Sequence, residues 1–347
     1  MSAIAPQFPP ERQASRLRIG VIGVGRVGSV LGSALRAAGH ELVAAAGVSA
    51  ASRERAARLL PGVPLCPADQ VAGAADLVVL AVPDDTLAGL VTGLAGLGAW
   101  RPGQLLVHTS GAHGLAVLDP AARLGALPLA IHPAMTFSGV PEDVQRLAGI
   151  SFGITAAEGL EPVAEALVLE LGGEPVRIAE SARPLYHAAL TIGANHLVTL
   201  VAEARDLLRT AGVGNPGQVL GPLLGAALDN ALRRGDGALT GPVSRGDAGT
   251  VAKHLDTLTS HVPASVAAYT AMARRTAVRA IAAGRLRPAD AESVLDLLAS
   301  ASADADIDID NKGGADDKGG ADDKGGADDK GGADDKASDG DSDEARR

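Results

Sequence analysis

The sequence has one cysteine, one tryptophan, two tyrosines and three phenylalanines, and only one lysine before residue 301. Cys66 has no second thiol, which excludes an internal disulfide and a cysteine-based metal site, and no other metal site is expected. With six aromatic residues and 31 Lys and Arg against 41 Asp and Glu, the chain lacks the stacking groups and the basic footprint of a nucleic-acid binder. No apolar run approaches the ~18 residues that suggest a membrane span. Residues 1–16 hold no apolar core of a secretory signal, so a soluble cytoplasmic protein is expected, with neither nucleic acid nor membrane as partner.

The net charge of -10 is unevenly spread. Residues 301–347 carry 16 acids and 7 bases, and the preceding 300 residues are close to neutral with 25 acids and 24 bases. The tail repeats Gly-Gly-Ala-Asp-Asp-Lys four times between residues 313 and 336. Its low apolar content cannot offset the entropy of ordering it, so 301–347 is expected to be a disordered acidic tail.

Residues 17–180 alternate short apolar runs with Gly/Pro breaks and helix-like stretches. Segments 17–22, 41–46, 77–82, 104–107, 127–131, 150–154 and 175–178 read as strands, with helices between several of them. That alternation predicts an α/β domain with a Rossmann-type parallel sheet covered on both faces. After residue 180 the strand signal stops, and 181–300 reads as an all-helical second domain. A long helix there is expected to end near Gly212, followed by helices at 217–234, 247–260, 265–283 and 288–300.

Gly23-Val-Gly25-Arg26-Val27-Gly28 directly follows the first strand and opens a helix. The first glycine permits a tight turn, the second lets a pyrophosphate approach the backbone, and the third lets helix and strand pack closely. Free N–H groups at the helix start then suit a dinucleotide phosphate. An NAD-preferring site ends the second strand with Asp or Glu, but no acid follows here until Glu54. Ser49, Ser52 and Arg53 instead offer donors for a 2′-phosphate, with Arg55 a nearby reserve, so NADP is the expected cofactor.

Three polar clusters sit at strand ends, where open α/β sheets bind ligands: Ala81-Val82-Pro83-Asp84, His108-Thr-Ser110-Gly111, and His132-Pro133 with Phe137. Val82 and Pro83 are expected to line the cofactor channel, with Ser110 and Gly111 close to the nicotinamide. On the long helix His187, Thr191 and Asn195 are four apart and share a face, although His187 and Asn195 are about 12 Å apart along a regular axis. Arg245 precedes the expected N-cap Asp247 of another helix, a position suited to a carboxylate.

Together these residues resemble a family of Rossmann-like proteins whose helical C-terminal domain is of unknown function. The resemblance rests on the Gly23–Gly28 loop, the three strand-end clusters, Tyr186-His187 with Asn195-His196, residues 239–247 (Leu-Thr-Gly-Pro-Val-Ser-Arg-Gly-Asp) and His254-Leu255. It implies an NADP-dependent oxidoreductase, some members being ketopantoate reductases, and a homodimer formed through the helical domain. The wider group is similar to β-hydroxyacid dehydrogenases and pyrroline-carboxylate reductases. In the former a Lys and an Asn four residues apart act on the first long helix. With Asn195 at the Asn position, Thr191 stands where that Lys would be.

The expected activity is therefore hydride transfer from NADPH to the carbonyl of a small 2-oxo acid, ketopantoate leading. His187 is expected to donate the proton with His132 in reserve, Asn195 and Ser110 to orient carbonyl or carboxamide groups, and Arg245 to hold the substrate carboxylate. A non-catalytic NADP(H)-binding redox sensor and a cyclic imine reductase are the alternatives.

Overall fold

The computed structural model describes residues 16–313. Seven strands form one sheet: β1 (Arg18–Ile22), β2 (Glu41–Ala46), β3 (Leu77–Leu80), β4 (Leu105–His108), β5 (Leu127–Pro133), β6 (Ser151–Ala156) and β7 (Glu174–Arg177). Their order is β2-β1-β3-β4-β5-β6-β7. The helices are α1 (Arg26–Ala37), α2 (Ala50–Leu59), α3 (Ala68–Ala74), α4 (Asp84–Gly96), α5 (Asp119–Ala122), α6 (Glu142–Gln145), α7 (Glu161–Glu170), α8 (Arg183–Leu190), α9 (His196–Thr210), α10 (Pro216–Arg234), α11 (Ala248–His261), α12 (Val266–Ala282) and α13 (Pro288–Gly313).

β3 is wholly buried because its alternating side chains enter two different cores. Leu77 and Val79 join the cluster built with α1, α2 and α7, whereas Val78 and Leu80 join the one built with α3 and α4. A sheet covered on both faces has no solvent side, so its central strands show no polar alternation. At Gly20 a β-carbon would lie 2.6 Å from Val71 Cγ1, so α3 packs on β1 only because that position is glycine.

The sheet differs from the expected all-parallel one at a single pair. β5 and β6 are antiparallel, with His132 opposite Gly153, and every other pair is parallel. A parallel return needs a crossover, usually a full helix. Residues 134–150 contain only the one-turn α6, and the chain turns back instead. This reversal brings the start of β6 beside the polar end of β5.

The chain forms two compact units, one ending at Ala202 and the other beginning at Glu203. The division falls inside α9, not at the expected boundary after residue 180. The start of α8 belongs with the sheet because Arg183 is fully buried in it. In the second unit Ala273, Ala277 and Ala280 of α12 share a core with Val251 and Leu255 of α11 and Ala291, Val294 and Leu298 of α13. Small residues on one helical face let helices approach closely. Asp247 caps α11 by accepting the Thr250 N–H, as its sequence position predicts.

Two expectations change at the helices. Residues 301–313, read as the start of the tail, continue α13, in keeping with the helix-favouring alanines at 301, 303 and 305. The rest of the repeat tail and residues 1–15 lie outside the described residues. One helical stretch, Glu180–Thr210, is long and apolar enough to cross a membrane by length and composition alone.

Candidate active site

The glycine loop is shaped by contact and not only by sequence pattern. Gly23 has φ of 98°, and a β-carbon there would sit 2.4 Å from the Ala81 carbonyl oxygen and 3.0 Å from Val82 Cγ1. At Gly28 it would lie 2.1 Å from the Gly23 oxygen. Gly25 is different, because a β-carbon there meets nothing within 4 Å. Two glycines therefore close the turn and the third leaves a cradle open. Gly25 is the N-cap of α1, with no side-chain cap and no acid in the first turn, so the leading N–H groups at Arg26, Val27 and Gly28 meet no competing carboxylate. Val82 is held against this loop. Pro83 is the exposed N-cap of α4.

At the end of β2, Ser49 accepts the Ser52 N–H and caps α2. Ser52 Oγ donates to the Ser49 carbonyl, and Arg53 donates to the Val48 carbonyl. All three stand at the surface in local bonds that a phosphate can replace. Behind them stands Arg55, the reserve donor of the sequence reading, against a turn at Gly139 that the sequence reading did not single out. Arg55 Nε is buried without a hydrogen-bond partner, and a β-carbon on Gly139 would lie 2.6 Å from it and 3.1 Å from Arg26 Cγ. The Gly139 turn is anchored by buried Asp143, which accepts from the N–H of Ser138 and Gly139. Burial pushes the Asp143 carboxyl up, but these amides, the Val140 amide and Arg146 outweigh it and hold the pKa below the usual value.

His108 ends β4 and is structural. One ring nitrogen faces the Gly114 carbonyl at 2.9 Å and the other accepts the Ser110 N–H, so the proton sits on Nε2. Burial, aided by the Arg183 charge and opposed by the Gly114 bond, lowers its pKa to about 4. Ser110 Oγ accepts the N–H groups of Ala112 and His113, so it shapes its own turn and keeps one O–H to donate.

His132 lies at the end of β5 with its Nδ1 3.0 Å from the Tyr186 hydroxyl. Tyr186 also takes the Gly153 N–H, and burial raises its pKa against the opposing effects of Arg183 and that amide. A hydroxyl that already accepts from Gly153 satisfies itself best by donating to His132, which leaves the imidazole proton on Nε2. Gly153 makes this contact possible, since a β-carbon there would be 2.7 Å from the tyrosine oxygen. Burial, with smaller contributions from His187 and Arg183, lowers the His132 pKa to about 4, while Asp84 opposes. His132 is thus neutral near pH 7 and presents a fixed N–H.

His187 stands beside it, ring centroids 6.0 Å apart at 74°. Both rings close on Gly111, where a β-carbon would lie 2.7 Å from His187 Cδ2 and 3.0 Å from His132 Nε2. A cavity of about 160 Å³ opens here, lined by His132, Met135, Thr136, His187, Thr191 and Asn195 among others. Residues 191–195 form a π-turn between α8 and α9, which regular four-residue spacing does not anticipate. Such turns recur at functional sites because they re-aim side chains. Here His187, Thr191 and Asn195 line one cavity.

His187, Asn195, His132 and the Ser110–Gly111 turn therefore gather in the first unit, joined by Arg183 and by Tyr186, which the sequence reading cited only for the family resemblance. Arg245 belongs to the second unit, where it is exposed in the Val243–Arg245 turn before Asp247. Among the described residues, no three His, Cys, Asp or Glu side chains come together to hold a metal ion.

A Rossmann-like domain matches residues 4–133, and the domain of unknown function DUF2520 matches residues 150–276. The chain joins a Rossmann-like domain to DUF2520. His132 closes the Rossmann-like segment, whereas Arg183, Tyr186, His187 and Asn195 belong to DUF2520. No curated protein sequence matches the chain. Among solved structures, the chain is similar to a Bacteroides fragilis protein described as an NADP oxidoreductase, at 22% identity and TM-score 0.64, over 76% of this chain and 98% of that one. It is also similar to protein TM1727 of Thermotoga maritima, at 20% identity and TM-score 0.55, over 76% and 98%. A third is the 1-pyrroline-5-carboxylate reductase of Streptococcus pyogenes, at 19% identity and TM-score 0.53, over 77% and 99%. At these identities the likeness is one of fold.

Proposed function

We propose that this protein is an NADPH-dependent reductase that delivers hydride to the carbonyl of a small 2-oxo acid, with ketopantoate the first substrate to try. The observation that carries the reading is the pairing of a neutral, pinned His132 with a second histidine, His187, across one cavity at the strand ends. The solved structures named as an NADP oxidoreductase and a pyrroline-carboxylate reductase support an oxidoreductase on this fold.

The residues fit the cofactor. Gly25 leaves room for a pyrophosphate and the start of α1 supplies its N–H groups. Ser49, Ser52 and Arg53 would hold the 2′-phosphate, with Arg26 and Arg55 adding positive charge beside it. When bound, NADPH supplies the hydride. The protein does the rest: His132 Nε2–H meets the carbonyl oxygen and stabilises the negative charge that develops there. His187 delivers the proton that completes the hydroxyl. Asn195 and the Ser110 hydroxyl orient substrate or carboxamide groups. A cyclic imine is the second substrate class, suggested by the pyrroline-carboxylate reductase.

Leu185, Ile192, Leu197 and Val198 leave much of the Glu180–Thr210 stretch apolar and exposed. A homodimer that covers this stretch is part of the proposal.

The test is loss of NADPH absorbance with ketopantoate, other 2-oxo acids and pyrroline-5-carboxylate, with NADH alongside. His187→Ala is expected to abolish turnover and leave NADPH affinity nearly intact. Undiminished turnover in that variant would remove His187 from the mechanism. Tight NADPH binding with no turnover of any substrate would favour the sensor.

A further inference from the structure

Arg183 is the largest fully buried side chain in the described part of the protein; Glu180 acts on its charge, but no carboxylate there forms an ion pair with it. Its Nε donates to Thr155 Oγ1 at 2.8 Å, Nη1 to the Ser110 carbonyl at 3.2 Å, and Nη2 to the carbonyls of Ala130 at 2.9 Å and Gly153 at 3.0 Å. Thr155 passes its own proton to the Ile178 carbonyl. One guanidinium thus ties together the residues after β4, the end of β5, both halves of β6 and the exit of β7. Ser110 precedes Gly111, Ala130 precedes His132 by two residues, and Gly153 faces His132. His132 lines the cavity, and Gly111 meets both its ring and that of His187.

Burying a cation without a counter-ion costs several kcal/mol even when its hydrogen bonds are satisfied. Neutral donors could tie carbonyls together without that cost. What the guanidinium adds is positive charge beneath the site. We propose that Arg183 is a positioning residue that locks the Ser110–Gly111 turn and His132 into one floor and keeps that floor positive, so the site favours reduction that builds negative charge on oxygen over reduction of a cationic iminium.

This rests on the reductase reading. In carbonyl reduction the hydride bonds to carbon while the C=O electron pair moves onto oxygen, and a proton then closes the hydroxyl. The nicotinamide is oxidised and the carbonyl reduced. Negative charge grows next to His132, where a buried cation lowers the barrier. In iminium reduction the substrate enters already positive, and the same cation opposes it.

The other groups facing His132 are His187, Tyr186, Asp84 and His108, of which only Asp84 brings negative charge. It opposes Arg183 from the α4 side.

The first experiment needs no turnover. Histidine resonances are titrated by NMR in the wild type, Arg183→Met and Arg183→Lys, with His132→Gln used to find the His132 signal. His132 should stay neutral to about pH 4 in the wild type. It should rise part of the way toward the free-histidine value in Arg183→Met, because burial and His187 still lower it, and remain low in Arg183→Lys. The second experiment compares 2-oxo acid with cyclic imine turnover. Arg183→Met should shift that preference toward the imine roughly 10- to 100-fold, and Arg183→Lys should restore most of it.

An unchanged His132 titration and an unchanged preference in a folded Arg183→Met protein would reduce Arg183 to scaffold and overturn the proposal. If that variant does not fold, a wild-type His132 that titrates near ~6.5 overturns it alone. No turnover with either substrate class, with the titrations as expected, would count against the reductase reading while supporting the positive floor.

Discussion

Two neutral histidines, His108 buried and His132 partly buried, should make the first unit sensitive to mild acid. His108 and His132 have pKa values lowered from 6.5 to about 4, chiefly by burial. A lowered folded pKa means that between those limits the unfolded chain binds more protons than the folded one. The stabilisation is complete above ~6.5 and is lost as the pH falls toward 4. From pH 7 to pH 5 each histidine should withdraw about 1.8 kcal/mol, or about 3.6 kcal/mol together, with an upper bound of ~3.4 kcal/mol each once both states are protonated. Asp143, with its pKa held low, loses its contribution only in more acidic solution, so the window above pH 5 isolates the histidines. Trp100, the single tryptophan, is buried in the core beside β3 and β4 and reports unfolding of the first unit. Urea titrations followed by its fluorescence should give stability falling steadily from pH 7 to pH 5. His132→Gln should remove about half of that slope. A flat profile would show that neither ring is held neutral, and the assignment of His132 as a fixed N–H donor would fail.

The remaining predictions concern the site. Gly111→Ala should cut turnover at least about tenfold by forcing His132 and His187 apart, while Trp100 fluorescence shows a folded first unit; full activity would mean the two rings do not act across that turn. Tyr186→Phe should lower kcat about tenfold with NADPH affinity preserved, because it removes the proton that fixes the His132 tautomer. Gly25→Val should fold normally, since the space is open, yet weaken NADPH binding tenfold or more on the order of lost pyrophosphate contacts. By contrast Gly28→Ala should destabilise the first unit by about 1–3 kcal/mol, measured by the same fluorescence titration, because its β-carbon meets the Gly23 oxygen.

What was legible in the sequence follows from where information is local. The seven strands and the glycine loop are written in apolar runs, turn residues and a helix start, and all appear within a few residues of their expected bounds. The direction of β6 is not local. It depends on whether residues 134–150 build a crossover, and a one-turn α6 leaves little trace in a Pro- and Gly-rich stretch. The histidines could be read as candidates, but their roles could not. What holds each ring is set by Gly114, Ser110 and Tyr186, which lie up to 54 residues away along the chain. Arg183 was hidden for the same reason: next to Pro184 at a helix start it reads as a surface residue, and only the fold buries it. The π-turn at 191–195 has no clear sequence signal beyond Gly193.

In the proposed reaction, hydride passes from NADPH to a 2-oxo acid at the His132–His187 cavity. The most direct measurement is mass spectrometry of the product formed from ketopantoate and NADPH carrying deuterium at the transferring position of C4. A single deuterium is expected on the former carbonyl carbon with the wild type and none with His187→Ala. Bound NADPH that never passes its label to any 2-oxo acid, or a label found only in a reduced imine, would contradict it.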